Sequence, residues 1–162
     1  SLNGNTLCLF QYVEKHGKNL YESIRERAGS EKKVFYVYGG VEADEREQIR
    51  EITEKSDNAI IVASYGTFST GINIRNLHNI IFSSPSKSRI RNLQSIGRGL
   101  RLKDDNSAAT LYDLADDISY NGKENYTLQH FKERINIYNS EDFNYEIHNV
   151  ELSNGTKDNK QA

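Results

Sequence analysis

Ala59 to Ala63 reads AIIVA, five apolar residues with no polar one between them. A strand with one wet face alternates apolar and polar side chains. An unbroken apolar run this short therefore predicts a strand covered on both faces, as in a parallel sheet. Similar runs flank it. Upstream lie Thr6 to Gln11 (TLCLFQ) and Lys33 to Tyr38 (KVFYVY), the second rich in β-branched and aromatic residues and ended by Gly39-Gly40. Downstream lie Asn79 to Phe82 (NIIF) and Ala108 to Leu114 (AATLYDL).

Between the runs the sequence turns helical. Lys18 to Ala28 is polar, helix-friendly and closed by Gly29, and Ala43 to Lys55 places Ile49 and Ile52 at i, i+3. Ser86, just after Pro85, can cap a helix running to about Leu102. Tyr126 to Tyr138 carries Leu128, Phe131, Ile135 and Tyr138 on one stripe. Strands alternating with helices predict an α/β fold, a doubly wound parallel sheet with helices on both faces. One domain over residues 1–152 is expected, with a polar, frayed tail over 153–162.

The chain's 162 residues suit one domain with a single core, and no run reaches the ~18–20 apolar residues of a membrane span. No basic leader opens it, so an intracellular, cytoplasmic setting is expected. Cys8, the only cysteine, sits inside an apolar run and reads as a buried thiol in a reducing compartment. Ser1 at the start and the absence of methionine read as a piece of a longer protein.

The net charge of −2 hides an asymmetry. Ala59 to Lys103 contains no Asp or Glu but holds Arg75, Lys87, Arg89, Arg91, Arg98, Arg101 and Lys103, leaving 14 basic against 23 acidic residues elsewhere. That pattern fits either a localised anion-binding face or a solvated basic surface.

Ligands of open α/β sheets bind beyond the carboxyl ends of the strands, and two segments qualify. Ala63 to Leu77 (ASYGTFSTGINIRNL) gathers Ser64, Thr67, Ser69, Thr70 and two glycines. Small hydroxyls and glycine backbone allow close approach to a phosphate, though an ordinary polar connection has the same look. Gln94 to Arg101 reads QSIGRGLR. At about 100° per residue Gln94, Arg98 and Arg101 fall within about 60° on a helix, beside a strip of Ile90, Leu93, Gly97 and Leu100. Two guanidinium forks and an amide suit the oxygens of a triphosphate. Two helical glycines at roughly 1 kcal/mol each have no reason to persist on a merely solvated helix.

QSIGRGLR also matches motif VI of superfamily 2 helicases, Q-x-x-G-R-x-x-R, and follows a motif V-like loop at Thr70 to Asn73 (TGIN). Gly40 to Arg46, within GGVEADER, looks like the Gly-x5-Arg element between motifs IV and V, and TLCLFQ resembles motif IV. The resemblance runs from about Thr6 to Asp117 with its elements in family order. It implies a C-terminal RecA-like domain that shares ATP with an N-terminal RecA-like domain of the same protein.

By that resemblance Arg101 matches the arginine finger on the γ-phosphate, Arg98 its companion, and Gln94 the opening position of motif VI. Gly71 and Asn73 match the motif V positions that couple nucleotide to the strand, with Asn73 where related enzymes carry Asp. Ser64 and Thr67 match nucleic-acid backbone contacts, and Lys87, Arg89 and Arg91 can hold phosphates beside them. The partner implied is DNA, with RNA not excluded. ATP and Mg²⁺ are the implied cofactors, bound mainly by the N-terminal domain, and no metal is expected on this chain. The sequence contains no G-x-x-x-x-G-K-[ST] and no acidic box after a strand, so by itself it reads as half an ATPase.

Other residues read more plainly. Asp113, Asp116 and Asp117 (YDLADD) fit a strand-end loop and helix cap better than a metal site, and the four histidines form no metal spacing. Among the C-terminal aromatics, the helical stripe points to core packing ahead of base stacking. The rival to a helicase motor domain is a RecA-like binding or regulatory module that never hydrolyses ATP.

Overall fold

The computed structural model describes residues 2–69, 74, 76–84 and 109–151. Its centre is a five-stranded, wholly parallel sheet of β1 (Thr6–Phe10), β2 (Val34–Val37), β3 (Ile60–Ser64), β4 (Asn79–Phe82) and β5 (Thr110–Asp113), in the order β2-β3-β1-β4-β5. Helices α1 (Lys18–Ala28), α2 (Ala43–Glu54), α3 (Tyr65–Ser69) and α4 (Tyr126–Ser140) lie between and after the strands, and a π-turn at Val13–Gly17 leads into α1.

The apolar runs are covered on both sides because each feeds two cores. Leu7, Leu9, Val37, Ile61, Ala63, Ile80 and Phe82 point to one face and pack with Ile49 of α2 and with Ile135 and Tyr138 of α4. Cys8, Phe10, Tyr36, Val62 and Ile81 point to the other, against Leu20, Tyr21 and Ile24 of α1. The register keeps the two sets apart: Leu7 sits between Ile61 and Ile80, and Leu9 between Ala63 and Phe82. The chain crosses from β1 to β2 over one face and steps back to β3 over the other, which keeps both crossovers right-handed.

Three features differ from the sequence reading. On α2 it is Ile49 and Thr53, four apart, that face the core, while Ile52 is 37% exposed. Thr53 is pinned there by its hydroxyl on the Ile49 carbonyl at 2.8 Å and by its own carbonyl accepting from the Asn5 amide at 2.9 Å. The connection leaving β3 is not wholly irregular, since Tyr65–Ser69 winds into α3. On α4 the apolar stripe also contains Arg134, which is 0% exposed. The expected helix from Ser86 to Leu102 and the tail over 153–162 lie outside the described residues.

The amino edge of the sheet is locked by Asn5, which is fully buried. Its amide nitrogen lies 2.9, 2.6 and 2.9 Å from the carbonyls of Thr53, Ser56 and Asn76, and its Oδ1 accepts from the Ala59 N–H at 2.8 Å. Gly4, at φ +85°, presses so closely on His78 that a Cβ would lie 2.5 Å from the ring. This edge is sealed by structure, which leaves the opposite, carboxyl edge for chemistry.

Candidate functional site

Five strands end together at Phe10, Val37, Ser64, Phe82 and Asp113. The residues just beyond them supply the groups of the carboxyl edge. Ser64 closes β3 beside Phe10, and its hydroxyl lies 2.8 Å from that of Thr67, one turn into α3. The Thr67 N–H also donates to Ser64 Oγ at 3.3 Å. Ser64 and Thr67 are 7% and 4% exposed, and their paired hydroxyls close the exit of β3 as a unit.

Ser83 closes β4 in the same manner. Its N–H and its hydroxyl both donate to the Leu9 carbonyl, at 3.0 and 2.7 Å, tying the exit of β4 to that of β1. Ser84 follows, with Oγ 2.6 Å from His16 Nδ1 on the π-turn beyond β1. Cys8 lies beneath, its thiol pushed up to about 11 by burial, partly offset by a hydrogen bond with Ser83. A thiol held neutral in this way is no nucleophile.

The three aspartates at and beyond the end of β5 do separate structural jobs. Asp113 Oδ2 accepts from Arg134 Nε at 2.6 Å and from the Tyr138 hydroxyl at 2.8 Å, and burial with the adjacent carboxylate pushes the Tyr138 phenol far up. The Asp116 carbonyl accepts from Asn125 and Thr127 at the start of α4, both at 2.8 Å. Asp117 accepts from the Ser119 N–H at 3.0 Å, and hydrogen bonding to Ser119 holds its carboxyl below the usual range. Among the described residues no three His, Cys, Asp or Glu side chains gather around a cation-sized space. No described helix is long and apolar enough to cross a membrane.

Of the residues singled out in the sequence, Ser64 and Thr67 meet at this edge. Gly71, Asn73, Lys87, Arg89, Arg91, Gln94, Arg98 and Arg101 lie outside the described residues. Four groups escaped the sequence reading: Asn5, His16, Ser84 and Arg134. Arg134 left a signal, a charge between Phe131 and Tyr138 on an otherwise apolar stripe. The Ser83-Ser84-Pro85 run directly after a buried strand was the trace of the β4 exit. Asn5 and His16 left none, because their partners are backbone or far away in sequence.

The family model for the helicase conserved C-terminal domain matches residues 1–103. The chain belongs to that family. This helicase C-terminal domain is 37% identical over 158 residues to the ATP-dependent DNA helicase uvsW of Enterobacteria phage T4, a match covering 91% of the chain and 31% of the relative. It thus spans about a third of that protein. The crystal structure of T4 UvsW superposes with a TM-score of 0.70 and 39% identity, covering 88% of this chain and 30% of that one. The C-terminal part of the Fun30 ATPase domain superposes with a TM-score of 0.58 at 13% identity, over 85% of this chain and 48% of that one, a likeness of fold alone. The helicase C-terminal domain is RecA-like, and β5 and α4 extend it past the stretch the family model covers.

Proposed function

We propose that this chain is the second motor domain of an ATP-dependent DNA helicase or translocase and supplies the arginine half of a split ATPase site. The observation that carries the reading is QSIGRGLR, downstream of β4 in a chain 37% identical to an ATP-dependent DNA helicase. Arg101 stabilises the charge that spreads over the γ-phosphoryl oxygens as the bond to the leaving phosphate breaks, and Arg98 contacts the same group. Gln94, Gly71 and Asn73 line the nucleotide side. Lys87, Arg89 and Arg91 contact the nucleic-acid backbone, and the buried Ser64–Thr67 pair holds the β3 exit that leads into the motif V-like sequence. The donor set of guanidinium, amide and hydroxyl suits phosphate oxygens, and the described edge offers no carboxylate cluster for Mg²⁺. Mg²⁺, when bound, would offset phosphate charge, and its ligands would come from the first motor domain. The site of action is the cell interior, where such a motor meets DNA and ATP.

The test is ATP hydrolysis by the full-length protein, with and without single-stranded, duplex and branched DNA, and with RNA. DNA should stimulate turnover, and the chain alone should hydrolyse no ATP. Binding should ignore base sequence and weaken with salt. A slope of log K against log[salt] of roughly −2 is expected for about three phosphate contacts on a single strand. Steady turnover by the isolated chain, or full-length hydrolysis indifferent to nucleic acid, would overturn the reading.

A further inference from the structure

On the sheet face that receives α1, a cleft of about 290 Å³ opens between that helix and the end of β2. Its wall is aromatic. Tyr36 on β2 and Tyr38 just beyond it stand two apart and so share one face, and Tyr21 of α1 stacks on Tyr36. The Tyr36 ring is the hub, with the centroids of Tyr21, Tyr38 and Phe10 at 5.1, 5.1 and 5.6 Å. Its hydroxyl donates to the Val13 carbonyl at 3.2 Å, and Gly40 backs the Tyr38 ring, where a Cβ would lie 2.7 Å from a ring carbon. The rings are therefore fixed in place, yet Tyr21 and Tyr38 are only half-buried.

The rim is acidic. Glu14 on the π-turn and Glu22 on α1 line the cleft with Lys18, two exposed carboxylates against one ammonium. Burial first, then the charge of Glu14 and the neighbouring Tyr38, push the Tyr36 phenol up, which places the Glu14 charge at the ring wall. Lys18 is four residues from each glutamate, the spacing at which such pairs close on an α-helix. The Lys18 N–H, however, bonds the Val13 carbonyl five residues back, so Glu14 stands out of α-helical register with it. Among the described residues neither Glu14 nor Glu22 is held in an ion pair, and no cation lies over Tyr21, Tyr36 or Tyr38.

Fixed ring faces inside an acidic rim select a cation. The face of a tyrosine ring is the negative part of its quadrupole and attracts a guanidinium or ammonium within about 6 Å of the centroid. The carboxylates add to that attraction and repel phosphate, which disfavours a nucleotide or a nucleic-acid backbone here. The volume is at the low end of small-ligand sites, roughly 300–1,000 Å³, and suits one long side chain. Beside the cleft, β2 is an edge strand that pairs with β3 alone among the described strands, so its outer N–H and C=O groups are open to an extended chain. We propose that the cleft between α1 and the end of β2 binds an arginine side chain presented by an extended basic segment of a partner protein. Arginine fits better than lysine because its planar guanidinium can lie on a ring and fork to a carboxylate together.

The experiment titrates the full-length protein into a short fluorescein-labelled peptide of alternating arginine and serine, beside the same peptide with citrulline in place of arginine. Citrulline keeps the shape of the side chain and removes its charge. The arginine peptide should bind about 10-fold more tightly or better. Tyr38→Ala should weaken it about 2- to 30-fold, the range one ring face contributes to a cation, while Tyr38→Phe keeps the face and should bind normally. Glu14→Gln combined with Glu22→Gln should weaken it by a similar factor, as the loss of two exposed ion pairs would. Melting temperatures of all variants should stay near that of the unaltered protein. Equal binding of the two peptides, equal loss in Tyr38→Ala and Tyr38→Phe, or loss that follows a fall in melting temperature overturns the proposal. So does displacement of the labelled peptide by spermidine at lower concentration than by unlabelled arginine peptide, which would make a free polyamine the occupant. Tyr38→Ala weakening the binding of oligothymidylate but not of the peptide would also overturn it, in favour of a base-stacking platform.

Discussion

Arg134, fully buried on α4, donates through Nε to Oδ2 of Asp113 at 2.6 Å, at the carboxyl end of β5. Tyr138 reaches the same oxygen from one turn further along. The guanidinium also lies over the Phe131 ring, 5.6 Å from its centroid. This cluster joins α4 to the sheet through charge where the rest of the helix joins it through Ile135 and Ile137.

Breaking the pair from one side should therefore be severe. Asp113→Ala strands a buried cation and is expected to cost about 3–5 kcal/mol, while the double change Asp113→Leu with Arg134→Met should cost distinctly less. Chemical denaturation of both variants checks this. A single variant no worse than the double would show that the ion pair contributes little to holding α4.

Glycine positions offer a second contrast. Gly17→Ala places a methyl into the Phe10 ring and is expected to destabilise by about 1–3 kcal/mol, whereas Gly66, with open space around it in α3, should accept alanine without loss. Melting temperatures of the two variants decide it, and equal behaviour would mean the π-turn gives way easily.

Cys8 carries a pH signature. Burial pushes its thiol up to about 11 in the folded chain, above its ordinary value of roughly 8.5. The folded state thus holds the proton that the unfolded chain has lost. The stabilisation from the neutral buried thiol is complete below about pH 8.5 and disappears as pH rises toward 11. The melting-temperature gap between the protein and Cys8→Ala should accordingly narrow across that window. A gap that stays constant from pH 8 to 11 would contradict it.

The sheet was legible because parallel strands buried on both faces have to be apolar throughout, and AIIVA and NIIF say so without help from the rest of the chain. Lys18–Ala28 and its Gly29 stop, at φ +69°, were equally plain, since capping and breaking are local. Side-chain partners were not. Asn5 is defined by carbonyls 48 to 71 residues away, and Ser84 by a histidine on another strand's exit. The i, i+3 spacing of Ile49 and Ile52 did not reveal that Thr53 takes the inward position, because the Asn5 contact that turns Thr53 inward is tertiary. QSIGRGLR stands out in the sequence by charge, glycine and spacing, and its residues lie outside the described ones.

Arg101 is expected to act on the transition state of ATP hydrolysis, which single-turnover hydrolysis by the full-length protein carrying Arg101→Ala or Arg101→Lys measures. Arginine fingers are worth on the order of 10³–10⁵ in kcat. Lysine keeps the charge but not the planar fork and should rescue little. Both variants should lose most of their turnover while ATP affinity changes far less and the melting temperature holds. Near-normal single-turnover hydrolysis by Arg101→Ala would contradict the account.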